Sequence, residues 1–439
     1  MSAVKSAARI AVIGGGWAGC AAAVELAKRG AEVTLFEAAR TLGGRARAVE
    51  VNGKRLDNGQ HILLGAYRES LRLMREIGIA PQHALLRLPL QMRYPDSPDG
   101  MDFIAPRLPA PLHLALALLR ARGLDRADRM ALARFSTTAR WIDWRLNQDC
   151  SVTELLQRYD QTERLLRLLW RPLCIAALNT PPERASAQVF LNVLRDSLGA
   201  KRSASDMLLP RLDLSELFPA RAAAWLQQHG GRVECGAAID ALRREDGRWL
   251  LRGAAFDAAV LAVQPAQAAA LLKSFQPALS FPEFEWESIT TVYLQYEPNL
   301  RLPHPLLALL DDAESGRHGQ FVFDRGQLDA NCAGLLAVVI SASAAALELG
   351  RDALAAAVAA QLADAFDMPA LGAPQWTRVI AEKRATFSCT PGLARPDNDI
   401  GIAGLALAGD YTASDYPATL ESAIRSGVRA ARLLLECRT

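Results

Sequence analysis

With 439 residues, 51% of them hydrophobic and 22% charged, the chain has the composition of an ordinary folded globule with room for two or three domains. A net charge of +3 is too small to argue for a nucleic-acid partner. Seven scattered Cys show neither C-x-x-C nor metal-ligand spacing, so free thiols in a reducing, cytoplasmic setting and no metal site are expected.

The first informative stretch is RIAVIGGGWAGCAAAVELAKRGAEVTLFE, from Arg9 to Glu37. Its pattern predicts a buried strand over 10–13, a tight glycine turn, an Ala-rich helix over 17–29 and a second strand over 32–36. Gly14, Gly16 and Gly19 stand in G-x-G-x-x-G spacing, and Glu37 ends the second strand. Gly14 permits the sharp turn, Gly16 lets backbone approach a pyrophosphate, and Gly19 lets helix pack closely on strand. The helix start at Trp17 and Ala18 offers free N–H groups and a positive dipole end to phosphates. Glu37, followed by Ala38, is the expected acceptor for an adenosine ribose, so the stretch reads as a dinucleotide site. Basic residues precede the apolar run in MSAVKSAARIAVIGGG, but the glycine turn explains that run, and no export signal is expected.

Gly43, Gly44 and Arg45 then make a second basic turn, which suits the far phosphate of a long dinucleotide and favours FAD over NAD. A hairpin with Asn52-Gly53 at its turn leads into LDNGQH, where Asn58, Gly59, Gln60 and His61 are expected beside the flavin ring. Residues 67–77 read as an amphipathic helix and 81–111 as Pro-rich and extended. The apolar segment 111–124, PLHLALALLRARGL, allows two readings: a core helix of a second domain, or an interfacial helix with Arg120 and Arg122 at lipid headgroups. Further helices are predicted over 126–144, 152–159, 163–177 and 186–198, a helical cap suited to a large apolar substrate. No stretch reaches ~18 consecutive apolar residues, so no membrane-spanning helix is expected.

From 207 the α/β character returns, with a helix over 217–229 and strands near Val233, Ile239, 249–251 and 256–263, the last running into a loop at Pro265. This block is placed back in the nucleotide domain, with Ile239 near the adenine. Strands over 290–295, 320–323 and 335–340 and a helix over 351–366 form a second part of the substrate domain. Near the end, IAGLALAGDYTASDYPATLESAIRSG predicts a strand over 405–408, then Gly409 and Asp410, then a helix from about Thr419. Asp410 can accept hydrogen bonds near the ribityl chain or phosphates. Free N–H groups at Thr419 and Leu420 can stabilise negative charge on a reduced flavin. The expected division is 1–80, 207–265 and 381–439 for the FAD-binding domain, 81–206 for the cap, and 266–380 for the sheet-bearing substrate domain. The fold class is α/β, a Rossmann-like FAD-binding domain with an inserted α+β substrate domain and helical cap.

GGGWAG, LGGRAR, LDNGQH and the terminal AGDYT…PATLESAIRSG together resemble the amine-oxidase and phytoene-desaturase superfamily of FAD enzymes. LDNGQHILLGAY, RPLCIAALNTPPERASAQVFLNVLRDS and AGDYTASDYPATLESAI are similar, more narrowly, to the hydroxysqualene dehydroxylase family of bacterial hopanoid pathways. That resemblance implies reduction of a long isoprenoid alcohol by reduced FAD in a dry apolar tunnel, with one proton donor. It also makes peripheral contact with the inner face of the cytoplasmic membrane through 111–124 an expectation. Candidates for the donor are Asp57 and His61, near the predicted flavin loop, and Asp196 in the cap. No second G-x-G-x-x-G is present for NAD(P)H, which leaves the electron donor open. Two other readings stay open: a desaturase or amine oxidase running oxidatively, and a non-catalytic prenyl-chain binder similar to GDP-dissociation inhibitors.

Overall fold

Five parallel strands form the floor of the molecule, in the order Arg232–Cys235, Glu32–Glu37, Arg9–Ile13, Ala258–Leu261, Leu405–Leu407. The structure is a computed structural model that describes residues 7–96, 99–278 and 280–436. The first six residues, on which the export-signal reading partly rests, lie outside that range. Strand alternation decides how the floor is covered. Ile10 and Val12 point into one core with the helices Trp17–Lys28 and Leu420–Glu436. Ala11 and Ile13 point into the opposite core, with Trp249, Phe256 and the helix Pro265–Phe275. Both faces are therefore buried, which is why these strands read as continuous apolar runs rather than alternating ones. The two helices approach closely at Gly427, where a Cβ would stand 2.1 Å from the Ala18 carbonyl oxygen.

A second, antiparallel sheet has the order Leu306–Ala308, Phe321–Asp324, Leu335–Ser341, Trp286–Gln295, Trp376–Phe387. Its alternation is equally clean. Leu336, Val338 and Ile340 pack under the helix Arg351–Phe366, whereas Phe323 and Val339 face the interior cavity. Across that cavity stands the helical cap: Leu112–Arg120, Arg126–Trp141, Val152–Arg158, the run from Glu163 to Leu178 through one π-helical turn, and Ala187–Ser197. Local chemistry sets its boundaries. Asp125 and Ser151 close capping boxes, Thr162 and Ser186 cap the next two helices, and Asn179 ends its helix in the left-handed region at φ 48°.

Several elements differ from the sequence expectation. Residues 81–111 are not simply extended: they hold the helical turn Pro81–Ala84, the strand Leu85–Leu88 and the hairpin Gln91–Arg93 with Asp102–Ile104. No strand forms at Ile239, which is buried in a connecting segment. The run 256–263 splits into Ala254–Phe256, in a small antiparallel sheet, and Ala258–Leu261, in the parallel one. Pro265 opens a helix rather than a loop, since its fixed φ and missing N–H suit a first helical position. The strand Trp376–Phe387 runs through the expected 380/381 boundary. Likewise, Met207–Pro210 pairs with Leu63–Leu64 and Leu85–Leu88, tying together segments on both sides of the 80/81 and 206/207 boundaries.

Candidate functional site

At the carboxyl end of the parallel strands the three fingerprint glycines have three different reasons to be glycine. Gly14 adopts φ +105°, and a Cβ there would sit 2.4 Å from the Ala262 carbonyl oxygen. At Gly19 a Cβ would lie 1.8 Å from the Gly14 carbonyl oxygen, so helix and turn touch. Gly16 is different: a Cβ would meet nothing nearer than Gly44 Cα at 3.9 Å. The space over Gly16 is kept open for something other than the fold. Gly16 is also the N-cap of Trp17–Lys28 with no side-chain cap, and the first turn carries no acid, so its N–H groups remain free to face an anion. The second glycine turn is joined to the first, because Gly43 N–H donates to the Gly15 carbonyl at 2.9 Å and Gly16 bridges Gly43.

Glu37 stands at the edge of this cradle with Ala38, and both line the cavity. Its carboxylate accepts from Gly15 N–H at 2.7 Å and Ala39 N–H at 2.7 Å, which pins it where an adenosine ribose would arrive. Ile239 lines the same end from an irregular segment. Arg45 leaves the second turn and grips Asp410 with bonds of 2.6 and 2.7 Å, while its other amino group donates to the Ala385 carbonyl at 2.7 Å. The Asn58 amide donates to the Arg45 carbonyl at 3.0 Å, so the LDNGQH loop is tied to the same turn. Gly409 N–H donates to Ser426 Oγ at 2.9 Å, fixing the strand end on the last helix. Thr419 caps that helix by accepting from Ser422 N–H at 3.1 Å, and Thr419 and Leu420 both reach the cavity, as do Trp17, Ala18, Asn58, Gly59, Gln60 and His61. An open glycine cradle, an uncapped helix start, a ribose acceptor and a paired arginine form a donor and acceptor set that fits FAD.

The cavity has a volume of about 1140 Å³ and is continuous from this cradle to the cap. That exceeds the ~300–1,000 Å³ usual for one small ligand. The far arm is apolar, walled by Phe103, Leu114, Leu118, Phe135, Leu169 and Leu173.

The three candidate acids fare differently. Asp57 is not on the cavity. Its buried carboxylate accepts from Leu214 N–H at 2.7 Å at the start of the helix Leu214–Leu217, and its carbonyl accepts from the Tyr293 hydroxyl at 2.8 Å. Burial lifts this carboxyl to about 6, yet it has no route to a substrate, so the expectation of a catalytic Asp57 is corrected to a structural cap. His61 does line the cavity, with Nδ1 at 2.8 Å from the Gly59 carbonyl. That bond makes Nδ1 the protonated nitrogen, and burial together with the Arg45 charge holds the imidazole below its ordinary value. It is a neutral acceptor there, not a ready acid.

Asp196 also lines the cavity. Burial opposes its charge, but the Arg195 guanidinium at 2.7 Å and the Tyr416 hydroxyl outweigh it and hold the carboxyl below its ordinary range. It is an anion, therefore, rather than a proton donor. Tyr416 is a functional candidate that the sequence does not single out, because a phenol within ASDYPATLESAI carries no local signal of its partner 220 positions away. The phenol lines the cavity and donates to Asp196.

The model of the flavin containing amine oxidoreductase family matches residues 17–435. A hydroxysqualene dehydroxylase of Rhodopseudomonas palustris is 31% identical over 97% of each chain. A zeta-carotene desaturase of Synechocystis is 24% identical, again over 97% of each. Among solved structures, an oxidoreductase from Methanosarcina mazei superposes with a TM-score of 0.71 at 15% identity, covering 97% of this chain and 100% of the other. With the cradle described above, these likenesses establish that the chain belongs to the flavin containing amine oxidoreductase family, together with the hydroxysqualene dehydroxylases, and is an FAD-dependent oxidoreductase.

Proposed function

We propose that the protein removes the hydroxyl of hydroxysqualene reductively, yielding squalene, in hopanoid or related triterpenoid synthesis. The observation that carries this reading is the single cavity in which an FAD cradle opens directly into an apolar arm beneath a helical cap. The dehydroxylase relative covering 97% of each chain supports it. Reduced FAD, when bound, supplies the hydride. The allylic C–O bond breaks heterolytically, one proton leaves with the oxygen as water, and hydride closes the resulting carbon centre. Atoms and electrons then balance with one hydride and one proton per alcohol.

The chain's own residues contribute position and dryness. Arg45, Asp410 and the helix start at Thr419 fix the cofactor's place, while Phe135, Leu169 and Leu173 keep water from a cation that water would quench. The test is anaerobic. Photoreduced enzyme mixed with hydroxysqualene should reoxidise and form squalene. A flavin that stays reduced, with oxidised enzyme desaturating squalene or phytoene instead, would sink the proposal in favour of the oxidative reading, which the zeta-carotene desaturase relatives support. A non-catalytic prenyl-chain binder has less support, since the glycine cradle, Glu37 and the Arg45–Asp410 pair form a set that suits FAD.

The same reading places the protein in the cytoplasm, at the inner membrane surface through residues 111–124, taking its long apolar substrate from the bilayer. Among the described residues no helix is long and apolar enough to cross a membrane. The helix Leu112–Arg120 turns Leu114 and Leu118 to the cavity and leaves Leu112 and Leu119 exposed, Leu119 at 69%. On the next cap helix Met130 and Trp141 are exposed too, and residues 106–145 carry eight Arg against three Asp. Exposed apolar side chains on an arginine-rich segment suit an anionic bilayer.

A further inference from the structure

We infer that Tyr416 and Asp196 form an alcohol-selective subsite, which takes the hydroxyl of the isoprenoid and has no hold on the hydrocarbon that results. The inference rests on the dehydroxylase reading for the identity of the ligand. Asp196 lies on the cap helix Ala187–Ser197, whereas Tyr416 lies on the loop leading from the Leu405–Leu407 strand to the last helix. Both line the cavity, and their mutual bond joins the cap helix to the loop that precedes the last helix.

The surroundings hold this pair in place at the cavity wall. Asp196 Oδ1 accepts from Arg195 Nε at 2.7 Å, which keeps the carboxylate ionised and oriented. Oδ2 accepts only the Tyr416 hydroxyl among the described hydrogen bonds. The Arg425 guanidinium lies 4.7 Å over the Tyr416 ring and donates to Glu421 at 2.7 Å, so it braces the ring from one side, and its charge and that of Arg195 also act on the phenol. The pair thus presents one donor and one acceptor at the cavity wall, the Tyr416 hydroxyl and Asp196 Oδ2.

An alcohol oxygen placed between them uses both. It accepts from the phenol and donates to the carboxylate, so a hydroxyl drawn out of water keeps two hydrogen bonds. A hydrocarbon of the same skeleton offers neither group. The pair then simply re-forms, and the ligand is held by apolar contact alone. Discrimination therefore falls on the group that the reaction removes, which favours substrate entry and product release.

The test uses oxidised holoenzyme without reductant, where no turnover occurs, titrated with hydroxysqualene and with squalene in the same detergent and read from the flavin absorbance. Wild type should bind the alcohol roughly ten- to a hundredfold more tightly than the hydrocarbon. Tyr416→Phe and Asp196→Leu should each cut that ratio several-fold, and the double variant should bring it close to one with squalene affinity unchanged. Equal affinity of the wild type for both ligands, or an undiminished ratio in the double variant, overturns the subsite. Because the readout is a ratio within each protein, a variant with lower FAD content still reports. If the ratios behave as stated while reduced enzyme forms no squalene, the subsite stands and the dehydroxylase reading falls.

Discussion

Arg45 and Asp410 stand 365 positions apart in the chain, yet the guanidinium holds both carboxylate oxygens, at 2.6 and 2.7 Å. The bond closes the cradle by tying its second glycine turn to the strand end that precedes the last helix. Its chief consequence is for cofactor binding. Asp410→Ala leaves Arg45 partly buried without its partner, which should weaken FAD binding by about 1–3 kcal/mol. Titration of apoprotein with FAD should show the loss, and an unchanged affinity would mean that the pair only braces the fold.

The contrast between Gly16 and Gly19 separates binding from folding. Gly16→Ala meets no atom of the protein within 3.9 Å, so the variant should melt like wild type but lose FAD, because the methyl occupies the phosphate approach. Gly19→Ala drives a Cβ to 1.8 Å from the Gly14 carbonyl oxygen and should destabilise the protein by roughly 1–3 kcal/mol. Melting curves and flavin content of the two variants check this. Equal FAD retention in Gly16→Ala and wild type would contradict it.

Asp57 should make stability depend on pH in an unusual direction. Burial lifts its carboxyl from an ordinary 3.8 to about 6, so between those values the folded state binds more protons than the unfolded one. Its contribution is therefore most favourable below about pH 4 and declines as pH rises through 6. Asp57→Asn, which can keep the bond from Leu214 N–H, should be more stable than wild type at pH 7 by something on the order of 2 kcal/mol. Chemical denaturation at several pH values should show that gain vanish below pH 4. A gain that persists in acid would refute the linkage.

Membrane docking is checked by flotation with vesicles. Wild type should float with anionic vesicles and less with neutral ones, and binding should weaken with salt as arginine contacts are screened. Leu119→Glu and Trp141→Glu each remove an exposed apolar anchor, worth roughly 1.5 kcal/mol or more when buried, so each should lower binding at least about tenfold. Equal flotation of wild type and the double variant would exclude this face.

What the sequence determined by itself was whatever depends on near neighbours along the chain. The G-x-G-x-x-G turn, the Asn52-Gly53 hairpin and the cap helices were legible because glycine spacing, turn residues and apolar period act over a few positions. Family motifs then extended the reading to FAD and to the Gly409-Asp410 strand end. Tertiary structure decided what lies between distant segments. Two carboxyls illustrate it. Asp57 sits one residue from the flavin-side loop, yet packing turns it away to cap Leu214, and burial rather than sequence sets its protonation. Asp196 reaches the cavity, but Arg195 and a tyrosine 220 positions away make it an anion. Local sequence says which groups a chain owns. Their charge and their partners depend on desolvation and on contacts across the fold, and those exist only once cap, sheet and cradle have closed around one cavity.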